Sequence, residues 1–309
     1  MSAARIKVGV IGAGHVGAFH ARNYAQLADV ELAGICDIHP QNAQRVASLL
    51  HVPVYTDFHA LLPHVQAVSL AVPTSLHFSI GKACLEAGVH VLIEKPIATR
   101  LDEADALVRL ADERRVTLQV GHVERFNAAI QTASTLLTRP RFIESHRLSP
   151  YTVRGTDVSV ILDLMIHDLD VVLAFVHSAV VQVQAVGVTV VSSSEDLANA
   201  RIEFAEGTVA NLTSSRVSEE AMRKIRMFQD DAYLSIDYMA QEIRSARKRD
   251  GAIVRESVPI TRVQPLAEEL KAFVHAVRTG EPPVVSGRAG RDALALALQI
   301  ETALRSRAR

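Results

Sequence analysis

Four ionisable side chains, Asp163, His167, Asp168 and Asp170, lie inside the otherwise apolar stretch "VSVILDLMIHDLDVVLAFV", Val158 to Val176. An isolated charge is costly to bury, so a helix covered on nearly every side needs a reason to carry such groups. At about 100° per residue, Asp163, His167 and Asp170 project within about 60° of one another, while Asp168 points away as a solvated or capping acid. One face therefore holds two carboxylates and an imidazole. A neutral His167 on that face can take a proton from a hydroxyl, with Asp163 favouring the imidazolium that results. The same three groups can ligate a metal, or be satisfied buried polar groups without chemistry.

The choice depends on two other motifs. "VGVIGAGHVG" places Gly12-x-Gly14-x-x-Gly17 between an apolar strand and a helix, and Asp37 ends the next strand. Such glycines allow a tight turn and let a pyrophosphate approach the helix N-terminus, where N–H groups and the dipole favour anions. His15 and Val16, inside the loop, are expected against the same dinucleotide. Asp37 is expected to accept hydrogen bonds from the adenosine ribose and to repel a 2′-phosphate, which points to NAD and not NADP. "VHVLIEKPIA" ends a parallel strand at Glu94-Lys95-Pro96. Ligands bind beyond such carboxyl ends, so Lys95 is expected at the nicotinamide end. Pro96 restricts Lys95 to an extended backbone, which can hold its side chain in a set direction. With this loop and lysine in the chain, the general-base reading of the helix is favoured, without a metal, and Asp170 becomes a supporter of His167.

These groups need elements to position them. Residues 1–121 alternate β-rich runs such as "IKVGVI" and "VELAGICD" with helical patterns, the signature of βαβ units on a doubly wound parallel sheet. From about Arg141 the texture changes, and "VVQVQAVGVTVV" and "AYLSIDY" alternate with period two. "EFAEGTVANL" and "RKRDGAIVRE" read as hairpins, the latter turning at Asp250-Gly251. The expected fold class is α/β: a Rossmann domain over 1–121 and an α+β domain over 122–309 with a large, mostly antiparallel open sheet for substrate binding and oligomerisation. Two such domains suit a cleft between them.

Composition narrows the function. The 309 residues are 49% apolar and carry a formal charge of −1, which gives a nucleic-acid partner no basic excess to bind. Cys36 and Cys84 cannot build a disulfide framework or a cysteine zinc site, and read as buried residues of a reduced, cytoplasmic protein. Glycines break the early apolar run, which reads as a first strand and not a signal peptide. The acids of the Val158–Val176 stretch argue against a membrane span.

In this order the motifs resemble those of the Gfo/Idh/MocA oxidoreductase family, and the resemblance runs through nearly all of the chain. Its glycine loop stands at Gly12, Gly14 and Gly17, its P-x-x-x-H element at Pro73 to His77, its E-K-P element at Glu94 to Pro96, and its D-x-x-x-H helix at Asp163 and His167. The resemblance implies that Thr74, His77 and Glu94 lie along the dinucleotide and that Lys95, Asp163 and His167 face the oxidised carbon of a secondary alcohol. His122, Arg125 and Asn127 in "GHVERFNAA", with Arg147 and Arg154 in "RLSPYTVRGTD", are expected near the mouth of the site. Arginines there suit an anionic substrate such as a UDP-sugar, with Arg125, Asn127 and Arg154 binding it. "GHVERFN" with "DVSVILDLMIHDLD" resembles the branch that oxidises the 3-hydroxyl of UDP-N-acetylglucosamine for amino-sugar and lipid A synthesis. Many family members carry a glycine run before the D-x-x-x-H helix, where this chain has "TDVSVIL". Substrate contacts of those members, inositol dehydrogenases among them, are therefore not carried over. The alternatives are an inositol or free-sugar dehydrogenase and, from another class, a dinucleotide-binding regulator without turnover. The presence of both Lys95 and His167 argues against the regulator. The family commonly pairs through the open sheet face, which implies a homo-oligomer, a dimer or a tetramer.

Overall fold

Short runs of Val, Ile and Leu become strands that are covered on both faces, as a parallel sheet requires. They are β1 (Ile6–Ile11), β2 (Val30–Cys36), β3 (Val54–Tyr55), β4 (Ala67–Leu70), β5 (His90–Glu94) and β6 (Leu118–Gly121) in a computed structural model that describes residues 4–151 and 158–307. Arg154 lies outside the described residues. All six strands are parallel in the order β3-β2-β1-β4-β5-β6, so the winding reverses between β1 and β4. Ligands of such sheets bind at that reversal. The helices between them are α1 (His15–Tyr24), α2 (Pro40–Leu50), α3 (Phe58–Leu61), α4 (His77–Glu86) and α5 (Leu101–Arg114). Pro40 opens α2, where its missing N–H costs nothing, and Gly88 at φ +77° follows the end of α4.

The later sequence forms α6 (Ala128–Leu136), β7 (Phe142–Leu148), α7 (Ile166–Phe175), and then seven strands in succession. These are β8 (Val180–Val188), β9 (Leu197–Phe204), β10 (Val209–Ser215), β11 (Met222–Gln229), β12 (Ala232–Asp237), β13 (Glu242–Arg249) and β14 (Ala252–Val258). They join β7 in an eight-stranded sheet, ordered β14-β13-β12-β11-β7-β10-β9-β8, in which only β7 and β10 run parallel. The Asp250-Gly251 turn has φ +51° and +81°, the left-handed pair that a tight hairpin needs. Period-two alternation turns Ile202, Phe204, Leu212, Met227 and Leu234 inward against Leu169, Val172, Leu296 and Ile300. The opposite face is open. Phe142, Phe228 and Tyr233 stack there, with ring centroids 5.8 and 4.7 Å apart. The helices α8 (Pro265–Thr279) and α9 (Gly287–Arg307) follow.

The chain falls into two compact units. The first joins the residues up to His122 with Leu266–Arg291, and the second joins Val123–Pro265 with the residues from Asp292 onward. Leu266–Arg291, within the expected 122–309 domain, thus belongs by its contacts with the first unit. Helix α8 packs Leu270, Phe273 and Val274 among Val8, Val10, Ile35 and Leu92 of the parallel sheet. Its helical periodicity announces a buried face without saying which sheet covers it. Among the described residues, no helix is long and apolar enough to cross a membrane.

Candidate active site

The glycine loop ends β1 at the reversal of the sheet. Gly12 has φ +92°, and a Cβ there would overlap the Ala71 carbonyl; a Cβ on Gly17 would overlap the Gly12 carbonyl. Gly14 instead faces open space. Its backbone caps α1, whose first turn starts with His15 and Val16 and holds no acid and no side-chain cap. The first N–H groups of a helix have no internal partner. Asp37, just beyond β2, accepts hydrogen bonds from the Ala13 N–H through Oδ2 and the His39 N–H through Oδ1, each at 2.8 Å. A cleft of about 300 Å³ opens here, lined by Gly12, Gly14, Asp37, Ile38, Val72 and Leu76. A donor-rich loop, a carboxylate and exposed aliphatic walls fit a dinucleotide: pyrophosphate at α1, ribose at Asp37, adenine against Ile38 and Leu76.

At the carboxyl end of β5 the chain runs through Glu94, Lys95 and Pro96, and the Lys95–Pro96 bond is cis. Glu94 keeps 18% of its side chain exposed, and its Oε1 lies 3.0 Å from His20 Nε2. Burial raises the Glu94 pKa, but His20, Lys95 and His77 outweigh it and hold the carboxyl below its ordinary value. Lys95 is half-buried, as is Thr74 at the start of a 3₁₀ turn. His77 follows at the start of α4. Its ring is buried, and its nitrogens stand 2.7 Å from the Pro96 carbonyl and 3.0 Å from the Val72 carbonyl. A neutral ring donates its one N–H to one of these carbonyls, which ties the ring to a strand-end loop. Burial also pushes its pKa down, against those carbonyls.

In the second unit, Asp163 sits in a π turn, Ile161–Met165, that precedes α7. Such single wide turns are rare and recur at functional sites. The uniform 100° projection therefore fails across it, and exposure sorts the four groups differently. Asp163 and His167 are half-buried, whereas Asp168 and Asp170 are 1% and 2% exposed. Asp168 is neither solvated nor a cap: Arg147 Nε and Nη2 donate to its carboxylate at 2.8 and 3.1 Å. Arg147 also donates to Glu124 at 2.9 Å and lies over the Tyr238 ring. Burial lowers the Arg147 pKa, yet Asp168 and Glu124 outweigh it and hold the guanidinium above its ordinary value. Arg147 is thus a strut under α7 and not a residue at the mouth of a site. Asp170 lies 3.4 Å from Arg125 Nη1, so its partner is that arginine. Asn127 lies in the same region. It caps α6 by accepting from the Ala129 N–H, and donates to the Tyr238 carbonyl at 3.0 Å, with 2% exposure. Its side chain is engaged in these structural hydrogen bonds. His122 is buried as well.

Residues 6–122 match the model of the oxidoreductase family with an NAD-binding Rossmann fold, and residues 130–234 match the Gfo/Idh/MocA C-terminal domain. The chain belongs to the Gfo/Idh/MocA family. It is similar to the UDP-N-acetylglucosamine 3-dehydrogenase of Acidithiobacillus ferrooxidans, at 40% identity over 306 residues and 97% of each chain. A solved structure of that enzyme matches with a TM-score of 0.93 over 98% of this chain and 99% of the other. The myo-inositol 2-dehydrogenase of Thermotoga maritima is 27% identical over 317 residues, covering 94% of each chain. The chain is thus an oxidoreductase of a family with dinucleotide-binding Rossmann domains.

Sequence reading missed three groups around these motifs: His20, Glu269 and the Arg147–Asp168 pair. Signals for two of them exist. Gly17, Ala21 and Tyr24 mark the inward face of α1, and His20 shares it. Glu269 stands in the buried stripe Leu270, Phe273 and Val274 of α8. The Arg147–Asp168 pairing has no local signal, because it joins β7 to α7 across the fold.

Proposed function

We propose that this chain is an NAD-dependent dehydrogenase that oxidises the 3-hydroxyl of UDP-N-acetylglucosamine to the 3-keto sugar, a step toward amino-sugar nucleotides and lipid A precursors. The observation that carries this is the 40% identity over 97% of both chains to an enzyme of that name, a span that includes every motif discussed above. Bound NAD⁺ supplies the hydride acceptor. His167 takes the hydroxyl proton, and Asp163 favours the imidazolium. Lys95 donates a hydrogen bond to the oxygen as charge develops on it. Asp37 selects NAD over NADP. Arg125, with 21% of its side chain exposed beside Asp170, offers its remaining donors to the diphosphate, as does Arg154. Cys36 and Cys84, both free and buried, suit a reducing cytoplasm. The open sheet face pairs subunits.

The experiment is NADH formation across UDP-N-acetylglucosamine, other UDP-sugars, free sugars and inositols. Turnover is expected on UDP-N-acetylglucosamine first. Turnover on neutral polyols alone would reject the reading in favour of the inositol dehydrogenases, whose Thermotoga maritima member supports that alternative. His167→Ala and Lys95→Ala are each expected to lower kcat by about 10²-fold or more while NAD binding persists, the usual loss on removing a general acid–base or oxyanion donor. Near-native turnover in either variant removes that residue from the chemistry.

A further inference from the structure

Behind the Glu94-Lys95-Pro96 turn, His20, Glu94 and Glu269 each bring a side-chain nitrogen or oxygen to within 4.8 Å of the others. They arrive from α1, the end of β5 and α8, all within the first unit. His20 and Glu269 have no exposure at all. The Glu94 carboxylate also presses on β6, where a Cβ at Gly121 would come 2.8 Å from Oε1. Gln119 of β6 donates to the Glu269 carbonyl at 3.3 Å. Tyr24, one turn beyond His20, shares a 2.8 Å hydrogen bond with Ser69 of β4. Burial raises the Tyr24 pKa, and Glu269 and Glu94 push it further, which fits a hydroxyl beside both carboxylates.

Two carboxylates and an imidazole are packed here within close Coulomb range of one another. Like charges at that range disfavour joint ionisation, and an imidazole proton between them relieves the cost. His20 Nε2 stands 3.0 Å from Glu94 Oε1, close enough for the imidazole to hold that carboxylate in place. Successive side chains of a strand leave on opposite faces. Lys95 follows Glu94 directly at the end of β5, so a Glu94 carboxylate pinned toward α1, β6 and α8 constrains the backbone from which Lys95 emerges.

We propose that His20 and Glu269 are positioning residues: they clamp the Glu94 carboxylate, and Glu94 in turn sets the direction and charge environment of the Lys95 ammonium. The proposal rests on the reading of Lys95 as the group that meets the reacting oxygen. The charged and titratable groups that bear on the clamp are His20 and Tyr24 from α1, Glu94 and Lys95 at the end of β5, His77 from α4 and Glu269 from α8. Glu269→Gln keeps volume and hydrogen bonding and removes the charge; His20→Gln removes the imidazole.

The test compares both variants with wild type as full-length protein saturated with NAD. Each is expected to bind NAD within about threefold of wild type and to lose kcat by about tenfold or more, as small misplacements of catalytic groups do. The pH dependence of kcat is expected to move, and Glu269→Asp to recover part of the loss. A purely structural role would instead lower the folded fraction and leave the pH profile where it was. A second readout needs no substrate: reductive ¹³C-methylation labels the lysines, Lys95→Arg assigns the Lys95 resonance, and its titration midpoint is followed by NMR. A displaced midpoint in Glu269→Gln or His20→Gln is expected. An unmoved midpoint in every folded variant, with kcat within about twofold of wild type, overturns the clamp. Stoichiometric metal in the purified protein, lost on Glu269→Gln, also overturns it. If wild type oxidises none of the sugars while the Lys95 midpoint still moves, the dehydrogenase reading fails and the clamp stands.

Discussion

Asp37 and Ile38 stand side by side beyond β2, the first turned to the glycine loop and the second 75% exposed on the cleft wall. A charged acceptor facing two ribose hydroxyls contributes about 1.5–3 kcal/mol per hydrogen bond, so Asp37→Ala is expected to raise the KM for NAD by about 10- to 100-fold. If the Asp37 charge repels a 2′-phosphate, the same change is expected to lower the KM for NADP. Steady-state kinetics with both cofactors decide it; an unchanged NAD/NADP ratio would strip Asp37 of its selective role. The loop and this acid are legible in sequence because their constraint is local. Only glycine fits the turn at Gly12 and the close packing at Gly17, whatever the remainder of the fold does. The surroundings of His77 and Asn127 are not legible, for the opposite reason. Sequence shows that an imidazole or an amide can bind a ligand, but not that a carbonyl or a helix end already engages it.

The polar helix shows what a projection from ideal geometry loses. Its apolar cover and its DxxxH spacing are readable, whereas the π turn and the strut beneath it depend on β7 and on the loop before β9. Removing one partner of a buried ion pair leaves an uncompensated charge and costs about 3–5 kcal/mol. Arg147→Met is expected to destabilise the fold by that amount in urea titration, and Arg147→Met with Asp168→Leu by much less than the sum of the two. Additive losses would mean that the two side chains do not act as a pair. The start of the π turn has a second anchor. Arg216 donates to the carbonyls of Val158 and Glu195 at 2.9 and 3.1 Å and lies 3.6 Å from Asp196, whose Oδ2 accepts N–H groups from Val190, Val191 and Ser192. Burial raises the Asp196 pKa, but those donors outweigh it and hold the carboxyl well below its ordinary value. A carboxyl whose pKa is lower folded than unfolded stabilises fully above the unfolded value, about 4, and loses that contribution as pH falls through the folded one. Asp196→Asn is therefore expected to be less stable than wild type by about 1–3 kcal/mol at pH 7, with the gap narrowing below about pH 4. A gap that stays constant with pH would contradict the role of the charge.

At the scale of the molecule, alternation and turn chemistry made both sheets readable, down to the Asp250-Gly251 hairpin. The passage of α8 back to the first unit was not, since amphipathic helices cover whichever sheet reaches them. The same limit applies to the outer face of the eight-stranded sheet, where sequence shows alternation but not what meets it. On that face the rings of Phe142, Phe228 and Tyr233 are stacked in solvent reach, Arg226 pairs with Glu144 at 2.7 Å, and a shallow groove of about 810 Å³ runs past Arg226, Phe228 and Arg244. Aromatic residues and arginine are enriched in subunit contacts, and such a ring cluster on an exposed sheet face suits one. If this face pairs subunits, Phe228→Asp with Tyr233→Asp places unpaired charges at the centre of the contact. The variant is expected to fall to the monomer mass in size-exclusion chromatography with light scattering. Its NAD affinity is expected to stay within about twofold, because the glycine loop and Asp37 belong to the other unit. A monomeric wild type, or a variant of unchanged mass, would leave the sheet face without a partner of its own kind.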